Sequence, residues 1–201
     1  MTRQLALPLS PPPKPTLDDF VTGANAELLA RLRELAAGEL AESVLYLWGG
    51  PGSGRSHLLE ASLRPGLVAA DDVERLDEPR QIALFNAINA ARDTGGTVLA
   101  AGNAPPAQLA LREDLKSRLA WGLVYQVKPL TDAEKALYLH GEAARRGLKL
   151  SDEVVWYLLT HVRRDLHSLA GLLDRLDRAS LEQRRAVTLP LVRDLIRSLD
   201  E

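Results

Sequence analysis

The stretch VLYLWGGPGSGRSHLL, Val44–Leu59, joins an unbroken apolar run to a glycine-rich turn and then to a second pair of leucines. Five consecutive apolar residues, Val44 to Trp48, read as a strand buried on both faces. The turn meets the pattern G-x-x-x-x-G-K-[ST] at Gly49, Gly54 and Ser56, with Arg55 at the lysine position. A strand, a glycine turn and then a helix is the setting in which such a loop binds phosphate. Glycines let backbone N–H groups converge on an anion without Cβ clashes, and the positive end of the following helix points to the same place. The candidate nucleotide-contact residues are therefore Gly49, Gly50, Pro51, Gly52, Ser53, Gly54, Arg55, Ser56 and His57, with the Ser56 hydroxyl placed to ligate Mg²⁺. The alternative is a tight βα turn without a ligand. Arginine is longer than lysine, planar and bidentate, so nucleotide holding survives the replacement more easily than nucleotide turnover.

Downstream, Leu67–Ala70 make a short apolar strand that ends at Asp71 and Asp72. Carboxylates at the C-terminal edge of a buried strand resemble a Walker B element, and ligands of open α/β sheets bind at that edge. Asp71 would hold Mg²⁺ through water, and Asp72 would stand where an ATPase keeps its base. The bland reading is a loop with a helix cap. Helices are expected over 24–38, 56–63, 79–93 and 112–120, and further strands over 97–101 and 123–127. In the third helix Ile82, Phe85, Ala87, Ile88 and Ala91 form the apolar side.

After Pro129 the pattern is helical only. Thr131-x-x-Glu134 is a capping box. Ser151 caps a second helix, Leu166, Leu169, Leu173 and Leu176 stripe a third, and Thr188 opens a fourth. The fold class is α/β, a parallel sheet covered by helices with a C-terminal helical lid bundle. Residues 1–15 form a proline-rich tail, 16–129 the nucleotide-binding domain and 130–201 the lid.

The whole chain narrows the classes. It has 201 residues, 46% of them apolar, and a net charge of −2, which gives no reason to expect non-specific binding to nucleic acid or membranes. There is no cysteine and only four histidines, so neither a disulfide framework nor a thiolate metal site is available. No apolar run is long enough to span a bilayer and no signal peptide is evident. The expected location is the cytoplasm.

The order of these parts resembles the DnaA/Hda family of AAA+ proteins. Thr16-Leu-Asp-Asp-Phe20 and Gly23-x-Asn25 resemble the opening of the DnaA-type domain. Trp48–His57 resembles the loop of Hda proteins, in which arginine replaces lysine. Leu99–Pro106 resembles the sensor 1 strand and loop, with Asn103 at the sensor position. Leu115-Lys-Ser-Arg118-Leu-Ala-Trp121-Gly122 resembles box VII, whose arginine is the arginine finger. Leu173-x-x-Leu176-Asp177-Arg178-Ala179-Ser180 resembles the closing lid helix. At the front, Gln4-Leu5-Ala6-Leu7-Pro8-Leu9 resembles the hexapeptide by which Hda proteins bind the sliding clamp, the β subunit of DNA polymerase III. Leu5, Leu7 and Leu9 of an extended peptide face one way, Gln4 offers oriented hydrogen bonds, and Pro8 lowers the entropy of ordering. The same segment could instead fold back on its own domain.

The resemblance implies a clamp-tethered regulator that uses Arg118 in trans to stimulate ATP hydrolysis by DnaA while holding ADP itself, a non-enzymatic activator able to self-associate. The chain departs from the family in two places. The stretch between the Walker elements is short, so the family's second strand is expected to be missing and the sheet to be reduced to four strands, in the order fourth, first, third, second along this chain. The sensor 2 position falls on His167 where the family has arginine, with Arg163 or Arg164 as substitutes. Alternatives are a self-sufficient P-loop ATPase or a helicase-loader-type AAA+ protein. An initiator of this kind would need a helix-turn-helix module after the lid, and direct sequence-specific DNA reading is not expected.

Overall fold

The computed structural model describes residues 14–162, 166–183 and 186–200. The hexapeptide at 4–9, Arg163 and Arg164 lie outside them.

The apolar run at Val44–Trp48 is β1, one of the two inner strands of a four-stranded parallel sheet. It pairs with β3 (Val98–Gly102) on one side and β4 (Leu123–Gln126) on the other, and β2 (Val68–Ala70) pairs with β3. The order β2-β3-β1-β4 is the one implied by the family resemblance once the shortened spacing removes a strand. Between the first helix of the glycine loop, α2 (Arg55–Ala61), and β2 there are only residues 62–67. No strand can form there and return, so β2 is left as an edge. Its three residues fit the rule that edges stay short.

Alternation along β1 and β3 divides the sheet's burial between two faces. Leu45, Leu47, Leu99 and Ala101 pack with Leu28, Leu32 and Leu35 of α1 (Ala26–Ala37) and with Leu58 of α2. Val44, Tyr46, Val98 and Ala100 pack with Leu84 and Ile88 of α3 (Glu78–Thr94) and Leu115 and Leu119 of α4 (Glu113–Leu119). α1 ends at Gly38, whose φ of +80° suits a left-handed cap. α3 begins where Asp77 accepts from the Arg80 N–H at 3.1 Å, with Pro79 in its first turn.

Two short 3₁₀ turns, Val73–Arg75 and Pro106–Gln108, occupy stretches to which the sequence pattern assigns no helix or strand. Ile82, assigned to the apolar side of α3, is instead 41% exposed; the buried stripe runs through Leu84 and Ile88.

A third apolar cluster is built from α5 (Asp132–Arg145), α6 (Asp152–His161), α7 (Leu166–Gln183) and α8 (Leu189–Asp200). The capping box forms as expected: the Thr131 hydroxyl accepts from the Glu134 N–H, and the Glu134 carboxylate accepts from the Thr131 N–H at 2.7 Å. Ser151 accepts from the Val154 N–H at the start of α6. Leu169, Leu173 and Leu176 are buried, as their spacing predicts. Among the described residues no helix is long and apolar enough to cross a membrane.

Candidate functional site

Residues 49–57 lie at the C-terminal edge of the sheet, where β1 delivers the chain to α2. The Gly49 N–H donates to the Gly102 carbonyl at 3.3 Å, which joins the loop to the end of β3. A Cβ at Gly49 would stand 2.7 Å from the Ser53 Oγ and 2.8 Å from the Val127 carbonyl, so only glycine fits there. Gly50, Pro51 and Gly52 are exposed at the tip, and the Ser53 N–H donates back to the Gly50 carbonyl at 3.2 Å. Gly54 carries a φ of +95° as the cap of α2, and its missing Cβ makes room for the Phe20 ring.

Two polar groups inside the loop have no partner. The Ser53 Oγ and the Arg55 Nη1 are buried without a hydrogen bond. The Arg55 side chain is 11% exposed, and its Nη2 is 4.0 Å from the Asp72 Oδ1, too far for a hydrogen bond. Leaving such donors unmade costs about 1–3 kcal/mol each, more for a charged group. An anion rich in acceptor oxygens would satisfy both, and the open tip above Gly50 leaves space for it. The donor set fits a phosphate group.

Asp71 and Asp72 follow β2 as expected. The Asp71 Oδ1 accepts from the Asp72 N–H at 2.8 Å. Asp72 takes a left-handed conformation, φ +46°, alone among the described non-glycine residues. Its carboxylate faces Arg75 at 3.2 Å as well as Arg55. Ser56 is exposed at the first turn of α2. Asn103 is exposed, and its N–H donates to the Glu74 carboxylate at 3.2 Å. His57 turns the other way: its Nε2 donates to the Thr16 carbonyl at 3.0 Å and its ring lies 5.9 Å from Phe20. Thr16–Phe20 is thereby clasped to α2. His167 lies on α7, and its side chain is outside the described residues.

The structure thus brings Arg55 and Asp72 together at the loop. It also places Glu74 between Asn103 and Tyr46, whose hydroxyl donates to the Ala104 carbonyl at 2.8 Å. Burial, reinforced by the nearby Glu74 charge, pushes the Tyr46 hydroxyl well above its ordinary range. Gly102 permits this arrangement, since a Cβ there would fall 2.2 Å from the Tyr46 oxygen. Neither Tyr46 nor Glu74 stood out in the sequence.

Arg118 has different surroundings. It is half-buried near the end of α4, its Nε donates to the Asn89 Oδ1 at 2.8 Å, and its guanidinium carbon lies 3.5 Å from the centre of the Trp121 ring and 5.1 Å from that of Phe85. Trp121 itself is 43% exposed. Stacking of this kind contributes about 0.5–1 kcal/mol at an exposed site. Its larger consequence is directional: the Nε bond and the ring fix the plane of the guanidinium. Its Nη groups make no hydrogen bond among the described residues. Sequence reasoning picked out Arg118 through the box VII pattern and missed Asn89 and Phe85, although both sit one helical turn apart on α3.

Comparison with known proteins adds to this geometry. Residues 132–196 match the family described as "Hda, lid domain". An uncharacterized protein of Haemophilus influenzae is 33% identical over 230 aligned residues, spanning 98% of this chain and 99% of the relative. That alignment is longer than this 201-residue chain, so the relative carries a segment that this chain lacks. Among solved structures, domain III of the replication initiation protein DnaA from Thermotoga maritima superposes with a TM-score of 0.73 at 20% identity, covering 91% of this chain and 95% of that one. AMPPCP-bound DnaA from Aquifex aeolicus gives 0.71 at 20%, covering 85% and 66%. The R170A form of RuvB from Thermotoga maritima gives 0.70 at 18%, covering 93% and 72%. At these identities the structural matches establish the fold.

Proposed function

The chain belongs to the Hda- and DnaA-related AAA+ proteins, and from that premise we propose that it restrains replication initiation by supplying Arg118 in trans to ATP bound on DnaA. The single observation that carries this reading is the setting of Arg118. A half-buried guanidinium is aimed by Asn89 and Trp121, and its Nη groups are left without acceptors among the described residues. In the reaction, water bonds to the γ-phosphorus and the bond from that phosphorus to the bridging oxygen breaks. The electron pair stays on the departing ADP, and the proton passes to solvent. A guanidinium beside the transferring group neutralises charge that grows in the transition state, an effect of about 10³–10⁵ in rate for arginine fingers.

In this reading the chain's own loop holds a nucleotide and turns it over poorly. Gly49–Gly54 would cradle a diphosphate, with Ser53 and Arg55 donating to it and ADP as the expected occupant. Ser56 and Asp71 would take Mg²⁺ where it is present. Arg55 faces Asp72 rather than a lysine's narrow place between phosphates, which suits holding. The hexapeptide Gln4-Leu5-Ala6-Leu7-Pro8-Leu9 would fasten the protein to the sliding clamp. Self-association is compatible with the AAA+ fold.

The test is a reconstituted assay of ATP hydrolysis by DnaA, with clamp loaded on DNA. Wild-type protein should raise the rate. Arg118→Ala should lower the stimulated rate about 10³-fold at unchanged clamp affinity. A mutant that stimulates as well as wild type, or rapid ATP consumption by the isolated protein, refutes the reading.

A further inference from the structure

Arg118 does not have Trp121 to itself. The guanidinium carbon of Arg92 lies 4.8 Å from the centre of the same indole ring. Arg92 belongs to α3, where Phe85, Asn89 and Arg92 recur at the spacing that aligns side chains along one helix face. All three touch Arg118 or the ring beneath it: Phe85 at 5.1 Å from the Arg118 guanidinium, Asn89 through the 2.8 Å bond to Nε, and Arg92 through Trp121. α3 thus presents one stripe whose every member serves the same small region.

The charge there is unbalanced. Neither Arg92 nor Arg118 forms an ion pair among the described residues. With both guanidiniums on one ring, their carbons are no more than about 8 Å apart, so the two like charges repel one another. Stacking on the indole works against that repulsion, but neither guanidinium is neutralised by it. The pair gains when an anion joins it. Trp121 is 43% exposed and Arg92 is exposed, so an anion arriving from outside can reach both guanidiniums.

We propose that Arg92 is a second cation of the Arg118 site, gathered by Trp121 so that both guanidiniums meet the polyphosphate of a nucleotide presented by a partner AAA+ subunit. The proposal rests on the reading of Arg118 given above. The two arginines divide the work by their tethers. Arg118 is oriented by Asn89 and addresses one fixed position. Arg92 ends an exposed side chain and follows charge as it moves from the γ-phosphoryl group to the bridging oxygen. Trp121 is a positioning residue for both.

The experiment titrates Arg92→Ala, Arg92→Lys, Trp121→Ala, Trp121→Phe and Arg118→Ala proteins into the clamp-dependent ATP hydrolysis assay with DnaA. Maximal rate and half-saturating concentration are read separately. Arg92→Ala should lower the maximal rate about tenfold with the half-saturating concentration unchanged. Arg92→Lys should keep at least about half of the wild-type rate, because a charge remains. Trp121→Ala should match the Arg92→Ala loss and Trp121→Phe should restore most of it, which a merely structural role for the indole would not require. Arg92→Gln, which keeps two of the three stem methylenes and a polar end without the charge, repeats the measurement if alanine lowers the melting midpoint. Wild-type maximal rate for Arg92→Ala and Arg92→Gln, beside an inactive Arg118→Ala, overturns the second-cation assignment alone. A change confined to half-saturating concentration also overturns it, because Arg92 would then serve docking and not phosphate. Full activity of Arg118→Ala removes the reading beneath it.

Discussion

Arg55 and Arg118 are both expected to meet phosphate, and the fold treats them oppositely. Arg55 is drawn inside the glycine loop, 11% exposed, with Nη1 unsatisfied and a carboxylate at 4.0 Å. Arg118 is stacked on an exposed indole and directed by a side-chain amide. On the proposed function, the first arrangement would serve a ligand of this chain and the second would offer a charge to a partner's. The same residue type meets different surroundings because one guanidinium starts a helix behind a glycine cap, whereas the other lies near the end of a helix that is followed by tryptophan.

The sharpest way to break this contrast is to exchange the phenotypes. Arg55→Met keeps the stem and removes the charge. It should weaken ADP binding about 10–100-fold, the equivalent of one charge-assisted hydrogen bond. The ligand-free protein should be no less stable, and up to about 1 kcal/mol more so, because a buried donor without a partner disappears. Arg118→Ala should leave ADP affinity within about threefold. Calorimetric titration with urea unfolding checks both. Equal losses of ADP affinity in the two variants would erase the distinction.

Gly54→Ala tests whether the inward site depends on its backbone. Alanine at φ +95° costs about 1–2 kcal/mol, and its Cβ would meet the Phe20 ring at 2.7 Å. A fall of about 2 kcal/mol in unfolding free energy is expected, with weaker ADP binding. The maximal stimulated rate per bound molecule should not change.

Much of this was readable in the chain and some was not, and the division is physical. β1 is read to the residue because an apolar run stops at Gly49 on one side and at polar Glu42-Ser43 on the other. The capping box is read because both of its partners lie within four residues. The four-stranded order follows from the order that the family resemblance implies, less one strand for which the spacing leaves no room. What escaped depends on distant pairs. Asn89 is 29 residues from Arg118, Thr16 is 41 from His57, and Tyr46 is 58 from the carbonyl it serves. Ile82 was misread because an isoleucine at helical spacing says nothing about where the covering element ends. A signal for the Arg118 setting did exist: Phe85, Asn89 and Arg92 share a helix face, but two polar members make such a stripe look like a solvated one.

Tyr46 sits near both Arg55 and Glu74 and gauges how tightly the inward site is coupled to the sheet. Tyr46→Phe should cost about 1 kcal/mol by orphaning the Ala104 carbonyl. The sign with pH follows from burial. The folded hydroxyl ionises later than the unfolded one, so its contribution is complete below about pH 10 and is lost as pH rises beyond that. The phenylalanine variant should therefore show a smaller alkaline decline. Tyr125 and Tyr138, also shifted upward by burial, contribute in the same direction.

The smallest expected effect is at the start of the lid. Hydrogen bonds from the Thr131 N–H and hydroxyl hold the Glu134 carboxyl below its ordinary value. A carboxyl lowered in this way contributes stability above its unfolded value of 4.5, and that contribution disappears as pH falls. Thr131→Ala removes the hydroxyl half of the box. It should lower stability by about 1 kcal/mol at neutral pH and flatten the acid limb of a thermal-melting series. Neither arginine is in the box, so ADP affinity and stimulated rate should fall only with the folded fraction. A larger fall in either would mean that the junction before α5 helps to set one of the two arginine sites, and comparing the two losses would identify which.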